Sequence, residues 1–170
     1  MTVRKFKLFL GPNIHKEEEW LTEMSKKGLH LKKYRLFNYF FEEDPEQSYV
    51  YQIDFRQEAT KDYLQLYEDA GWEHVTNAMS IFHYFRKEAS NTDVKKIYSD
   101  KNSIQDNYKR MLIFYLFIFF FFLISQLGII VSWKGPWHDY LLVGGDIVIV
   151  VVYLYMFYIL NKRINFFRNK

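Results

Sequence analysis

The sequence predicts an α+β fold: a duplicated strand–helix–strand–strand domain, with an antiparallel sheet and two helices on one face, followed by a two-helix transmembrane hairpin. Three observations predict it. Positions 1 to about 88 repeat themselves at an offset of 43 residues, short strands there alternate aromatic and polar residues, and two long C-terminal stretches are almost free of charge.

The repeat is carried by Trp20, Leu21, Met24 and Gly28 in WLTEMSKKGLHL, which recur as Tyr63, Leu64, Tyr67 and Gly71 in YLQLYEDAGWEHV. In the first half the alternation predicts a strand over 5–10, a helix over 15–27, then strands over 29–34 and 37–43. The second half repeats the order with a strand over 49–55, a helix over 60–70, and strands over 72–75 and 81–86. Glu17, Glu18 and Glu19 complement the positive end of the first helix, and Gly28 suits a left-handed cap behind it. Thr60 is the expected N-cap of the second helix. Asp44-Pro45 marks the turn between halves, and Thr76-Asn77 a loop within the second. The natural product is two layers, a mostly antiparallel sheet of about six strands with both helices on one face.

Such a sheet holds more aromatic residues than one covered face needs. Phe37, Tyr39 and Phe41 share one face of their strand, as do Tyr49, Tyr51, Ile53 and Phe55 of theirs. An aromatic sheet surface including Tyr39, Tyr49, Tyr51, Trp72 and Tyr84 is therefore the expected ligand or partner site. The competing reading is a ladder of tyrosines across a half-wet sheet, with hydroxyls outward.

The domain at 1–90 leads through a polar segment at 91–110 into two apolar stretches, 111–133 and 140–160, joined by a short loop at 134–139. At 1.5 Å per residue the stretches reach about 34 and 31 Å, enough for a hydrocarbon core of about 30 Å. Lys95, Lys96, Lys101, Lys109 and Arg110 precede the first. Lys162, Arg163, Arg168 and Lys170 follow the second, in a basic tail at 161–170, while only Lys134 lies in the loop. The excess of positive charge places both termini in the cytoplasm and Trp133, Trp137 and Tyr140 at the outer interface. Lys109, Arg110, Lys162 and Arg163 are the expected contacts with membrane lipid. No basic-then-apolar leader heads the chain, so the first span is expected to direct insertion. Within 91–110, Val94, Ile97, Lys101, Ile104, Tyr108 and Met111 fall at spacings of three and four, a short seam suited to a surface helix or a dimer contact. Gln126 and Asp146 lie at matched depth, about 10 Å below the outer end, and form the expected intramembrane polar pair. Its bland role is a hydrogen-bonded lock on the hairpin; its functional role would be proton- or ion-linked.

Composition excludes much chemistry. The chain has no Cys, so thiolate nucleophiles, disulfides and Cys-based metal centres are ruled out. His15, His30, His74, His83 and His138 show no ligand spacing, and phosphate loops, nucleophile elbows and nucleotide fingerprints are absent from the sequence. A net charge of +3 leaves the basic residues explained by membrane flanks, with no independent case for nucleic acid. No catalytic, cofactor-binding or metal-binding residue is expected, and enzyme activity is the least favoured class.

The stretch from 5 to 110, with EEEWLTEMSKKGLHL, SYVYQIDF, YLQLYEDAGWEHV, HYFRK and KIYSD, resembles the uncharacterised bacterial membrane proteins of domain of unknown function family 2812. The resemblance implies a bacterial plasma-membrane protein with a cytoplasmic N-terminal domain, in a family often associated with PadR-like transcriptional regulators, and implies no catalytic residues. At the level of fold alone, the duplicated unit is similar to effector-binding domains that seat hydrophobic ligands between their halves. Two function classes follow. One is a membrane-tethered, non-enzymatic sensor or regulator that binds an apolar effector, a regulatory protein or a second copy of itself. The other is an accessory or immunity-type subunit whose hairpin packs against a transporter or antimicrobial target.

Overall fold

The computed structural model describes residues 2–89, 101–132, 135 and 137–168. The chain divides into two compact units, 1–99 and 100–170. In the first unit, β1 (Thr2–Phe6) leads through a 3-10 turn at Gly11–Asn13 into α1 (Ile14–Ser25). The strands β2 (Leu29–Arg35), β3 (Asn38–Glu43) and β4 (Tyr49–Phe55) follow, then α2 (Lys61–Asp69), β5 (Glu73–Ala78) and β6 (Phe82–Glu88).

The duplication is literal. The six strands form two three-stranded antiparallel sheets of the same order, β1-β3-β2 and β4-β6-β5, where the sequence suggests a single sheet. Each half carries one β-bulge, between Leu31 and Lys33 and between His74 and Thr76, and these positions differ by the repeat offset of 43. Each half also turns its hairpin, β2–β3 or β5–β6, on two consecutive residues of positive φ, Leu36-Phe37 and Met79-Ser80, again 43 apart. Such pairs suit the right-handed twist of the flanking strands, although Asn-Gly is their usual sequence. Gly28 (φ +75°) and Gly71 (φ +78°) close the two helices as expected; a Cβ at Gly28 would sit 3.0 Å from the Pro45 Cα.

Thr60 caps α2, its Oγ1 accepting from the Tyr63 N–H at 3.2 Å. Under α2, Tyr67 stacks on Phe85 at 3.7 Å, and Tyr63 and Trp72 complete the second half's core. α1 behaves differently, lying against both β2 of its own half and β4 of the other. β4 is an edge strand, and its outward N–H groups are taken up by one stripe of α1 side chains. Ile53 N–H donates to Glu18 Oε1 at 2.9 Å, Tyr51 N–H to Thr22 Oγ1 at 3.2 Å, and Tyr49 N–H to Ser25 Oγ at 2.7 Å. Residues 18, 22 and 25 recur at the helical period while 53, 51 and 49 recur at the strand period, so one helix face covers one strand edge. His30 extends this network, with Nδ1 2.8 Å from Ser25 Oγ and Nε2 2.7 Å from the Asp44 carbonyl oxygen.

The second unit is a hairpin of α3 (Lys101–Ser132) and α4 (Trp137–Arg168). Both helices are long and apolar enough to cross a membrane. They run past the apolar stretches at each basic end, so 101–110 continues α3 and the expected tail is helical through Arg168. Of the short seam, Val94 and Ile97 lie outside the described residues, as do Trp133 and Lys134. Tyr108 and Met111 are buried, Tyr108 stacking near Phe167 of α4 at 6.2 Å, and Leu160 of α4 is fully buried.

Candidate functional site: a buried carboxylate in an aromatic cluster

Of the five aromatics expected on an exposed sheet surface, Tyr39, Tyr51, Trp72 and Tyr84 are buried, and only Tyr49 is half-exposed. The expectation fails because the two sheets and α1 close over those faces instead of leaving one open. Trp72 belongs to the core under α2. The Tyr51 hydroxyl accepts from the Leu31 N–H at 2.8 Å, tying β4 to β2; burial pushes its pKa up to about 12, against the hydrogen bond from Leu31 and the nearby Arg86. Tyr49 lies under the Arg86 guanidinium, 4.5 Å from the ring centre.

Tyr39 and Tyr84 converge from the two halves on one residue that the sequence reading assigned only to helix-end electrostatics. Both hydroxyls donate to Glu17 Oε1 at 2.6 Å. Glu17 is 8% exposed, and among the described residues it has no ion-pair partner. Burial raises its pKa; the two phenol hydrogen bonds oppose that shift, and the neighbouring Glu18 adds to it. Burial beside this carboxylate also drives the Tyr39 and Tyr84 hydroxyls well above the ordinary phenol range, so both remain donors.

The rings form a continuous cluster around this group. Tyr34 stacks on Tyr84 at 5.6 Å and meets Tyr39 edge-on at 4.9 Å. Trp20 meets Tyr39 at 4.8 Å and Phe41 at 5.8 Å, and Phe9 lies 5.7 Å from Trp20. The Lys7 ammonium rests on the outer side of the cluster, 4.6 Å from the Trp20 ring and 4.9 Å from Phe9. Aromatic faces attract cations through the ring quadrupole, so this outer side already holds one. The repeat offset pairs Glu17 with Thr60, so the acid belongs to the first half alone. That departure from the repeat is the sequence signal for Glu17.

A shallow groove of about 490 Å³ runs along α1 past His15, Glu19 and Glu23, and two of its lining residues, Glu18 and Thr22, cap the β4 edge. Among the described residues, no group of three or more His, Asp or Glu side chains is placed to hold a metal ion.

In the hairpin, Gln126 and Asp146 line one groove of about 660 Å³ between α3 and α4, as their matched depth predicts. They do not form the expected lock. The Gln126 amide turns back on its own helix, donating to the Phe122 carbonyl and to Ser125 Oγ at 3.3 Å each. An amide within reach of its own preceding turn satisfies itself without crossing to a neighbour. Lys109, Arg110, Lys162 and Arg163 gather at one end, where Gln105 Nε2 bonds the Ile164 carbonyl at 3.2 Å. Lys109 also pairs with Asp106 at 3.0 Å.

Neither the search of curated proteins nor that of solved structures returned a match. The model of the family described as protein of unknown function (DUF2812) matches residues 13–121, from the turn before α1 into the first apolar helix. The match covers well over half of the chain, including Glu17, the first repeat from α1 onward and all of the second, and the protein belongs to the DUF2812 family.

Proposed function

We propose that this protein is a membrane-tethered, non-enzymatic sensor or regulator whose aromatic-rich domain binds an apolar effector, and that the effector carries positive charge. The observation that carries the reading is Glu17, a buried carboxylate held by phenol hydroxyls from both halves, in a cluster whose outer rings hold the Lys7 ammonium. A buried carboxylate without a cation costs stability, and a cation arriving beside it recovers that cost. Since Glu17 is contacted by both sheets, a ligand there acts on the junction of the halves. The chemistry of the effector, not of a bond made or broken, is what these side chains are suited to recognise. The domain is read as cytoplasmic, at the plasma membrane, with both termini on that side, because the basic residues gather at the ends of α3 and α4 away from their connection.

The probe is tetraphenylphosphonium, an apolar organic cation, titrated by equilibrium dialysis against the full chain in lipid nanodiscs. The native chain should bind it, with affinity rising with pH as Glu17 ionises. Glu17→Gln should weaken binding by about tenfold or more, the range for a lost desolvated charge contact. Lys7→Ala should bind at least as tightly as the native chain, since it vacates the outer ring face. Equal binding by native and Glu17→Gln chains would sink the reading and favour an accessory role for the hairpin.

A further inference from the structure

At the end of the first sheet where β2 turns into β3, four large apolar side chains stand in the open. Leu36 is 72% exposed, Phe6 71%, Leu8 58% and Phe37 40%. They form one patch: Phe6 pairs with Asn38 beside the turn, and the Lys7 N–H donates to the Phe37 carbonyl at 3.0 Å. The turn itself places Leu36 at φ +45° and Phe37 at φ +64°. Bulky side chains are strained in that region, where Asn-Gly would sit freely, so the sequence keeps apolar bulk at the tip against local preference.

Charge says what covers the patch. Residues 4–8 and 32–38 contain six basic side chains and no acidic one. Arg4 and Lys33 both lie opposite Phe40, Lys5 lies opposite Tyr39, and Arg35 opposite Asn38, so the basic residues form a collar behind the apolar tip. The equivalent tip of the second half exposes Met79 but has no Lys or Arg from 75 to 85, so the collar is not a property of the repeat. An apolar tip backed by cations matches an anionic bilayer surface, where the tip enters the acyl boundary and the collar meets the headgroups. Chain connectivity supplies the proximity: β6 ends at Glu88 and α3 begins at Lys101, a reach of at most about 45 Å. We propose that the β2–β3 tip, with Phe6, Leu8, Leu36 and Phe37 and the collar of Arg4, Lys5, Lys33 and Arg35, is an interfacial anchor that docks the domain on anionic phospholipid.

The chain has no native Cys, so a single environment-sensitive fluorophore can replace one residue. Leu36→Cys carries the label at the tip, and Glu46→Cys carries it in the exposed connection beyond the opposite end of β3. Each full-length chain is reconstituted into vesicles of phosphatidylcholine, or of phosphatidylcholine with about one-third phosphatidylglycerol, containing nitroxide-bearing lipid as quencher. Quenching at position 36 in anionic vesicles should exceed that at position 46 by about threefold, and should fall in the zwitterionic ones, as expected for a charge-assisted interfacial contact. Lys33→Gln with Arg35→Gln, both exposed, should lower it in anionic vesicles while leaving thermal unfolding unchanged. Equal quenching at 36 and 46 would overturn the anchor. So would a blue-shifted label at 36 that nitroxide lipid does not quench but that crosslinks to a second chain, which would assign the patch to a dimer.

Discussion

Glu17 shows how one side chain can be unfavourable for the fold and still be kept. Its carboxylate accepts two short phenol hydrogen bonds, yet burial outweighs them and raises its pKa above the unfolded value near 4.5. The native state therefore holds this proton more tightly than the unfolded chain does. Between the two pKa values stability falls as pH rises, and it is level below the unfolded value and above the folded one. Glu17→Gln keeps an oxygen for both hydroxyls and removes the charge. It should flatten this slope and raise the melting temperature at pH 7 by a few degrees, with roughly 4–8 °C expected per kcal/mol in a domain of this size. Melting curves of the native and Gln chains from pH 4 to 8 check this, and a Gln chain less stable at pH 7 would mean that the phenols hold the carboxylate ionised. Together with weakened cation binding, a more stable Gln chain would mark Glu17 as a binding group and not a packing group. Little of this was legible beforehand. An acid in the first turn of a helix reads as a dipole complement, and the tyrosines that enclose it come from β3 and β6, 22 and 67 residues away.

At the scale of elements, what was legible is what is local. The cap at Thr60, the helix-closing glycines and β4 over 49–55 all follow from spacing within a few residues. Alternation predicts the first strand over 5–10 and it lies at Thr2–Phe6, because alternation continues through Lys7 and Phe9 whereas pairing stops where β3 begins, at Asn38. The Leu36-Phe37 turn carries no glycine or asparagine to announce it. Nor does the sequence declare that α1 covers the edge of β4, since the link is between side chains of one half and backbone of the other. That link gives a specific expectation. Thr22→Val leaves the Tyr51 N–H without its acceptor and should cost about 1–2 kcal/mol, the usual penalty for a buried donor left unmade. Thr22→Ser should restore most of it. Amide hydrogen exchange at Tyr51, faster in Val and near native in Ser, distinguishes this from lost packing, and unchanged exchange in Val would show that the edge is held by other contacts.

For the whole molecule the membrane half has the simpler physics. Each helix of the hairpin has 32 residues, more than the roughly 20 a bilayer core requires, and the surplus turns lie largely where Lys109, Arg110, Lys162 and Arg163 gather. Of the seam residues that suggested a dimer, Tyr108 and Met111 are buried within the chain, while Val94 and Ile97 lie outside the described residues. Lys109, Arg110, Lys162, Arg163 and Arg168 stand at one end of the hairpin and Lys134 in the connection, so the proposed orientation, with both termini cytoplasmic, is open to a direct test. A Gly135→Cys chain in intact cells should react with a membrane-impermeant thiol reagent, and a Cys added after Lys170 should react only once the cells are opened. No native thiol competes, which makes either result readable. The orientation bears on both proposals, because it decides which leaflet the β2–β3 tip can reach and which compartment supplies a cation to Glu17. The reverse labelling pattern would put the aromatic domain outside, and any effector it binds would then be an extracellular one.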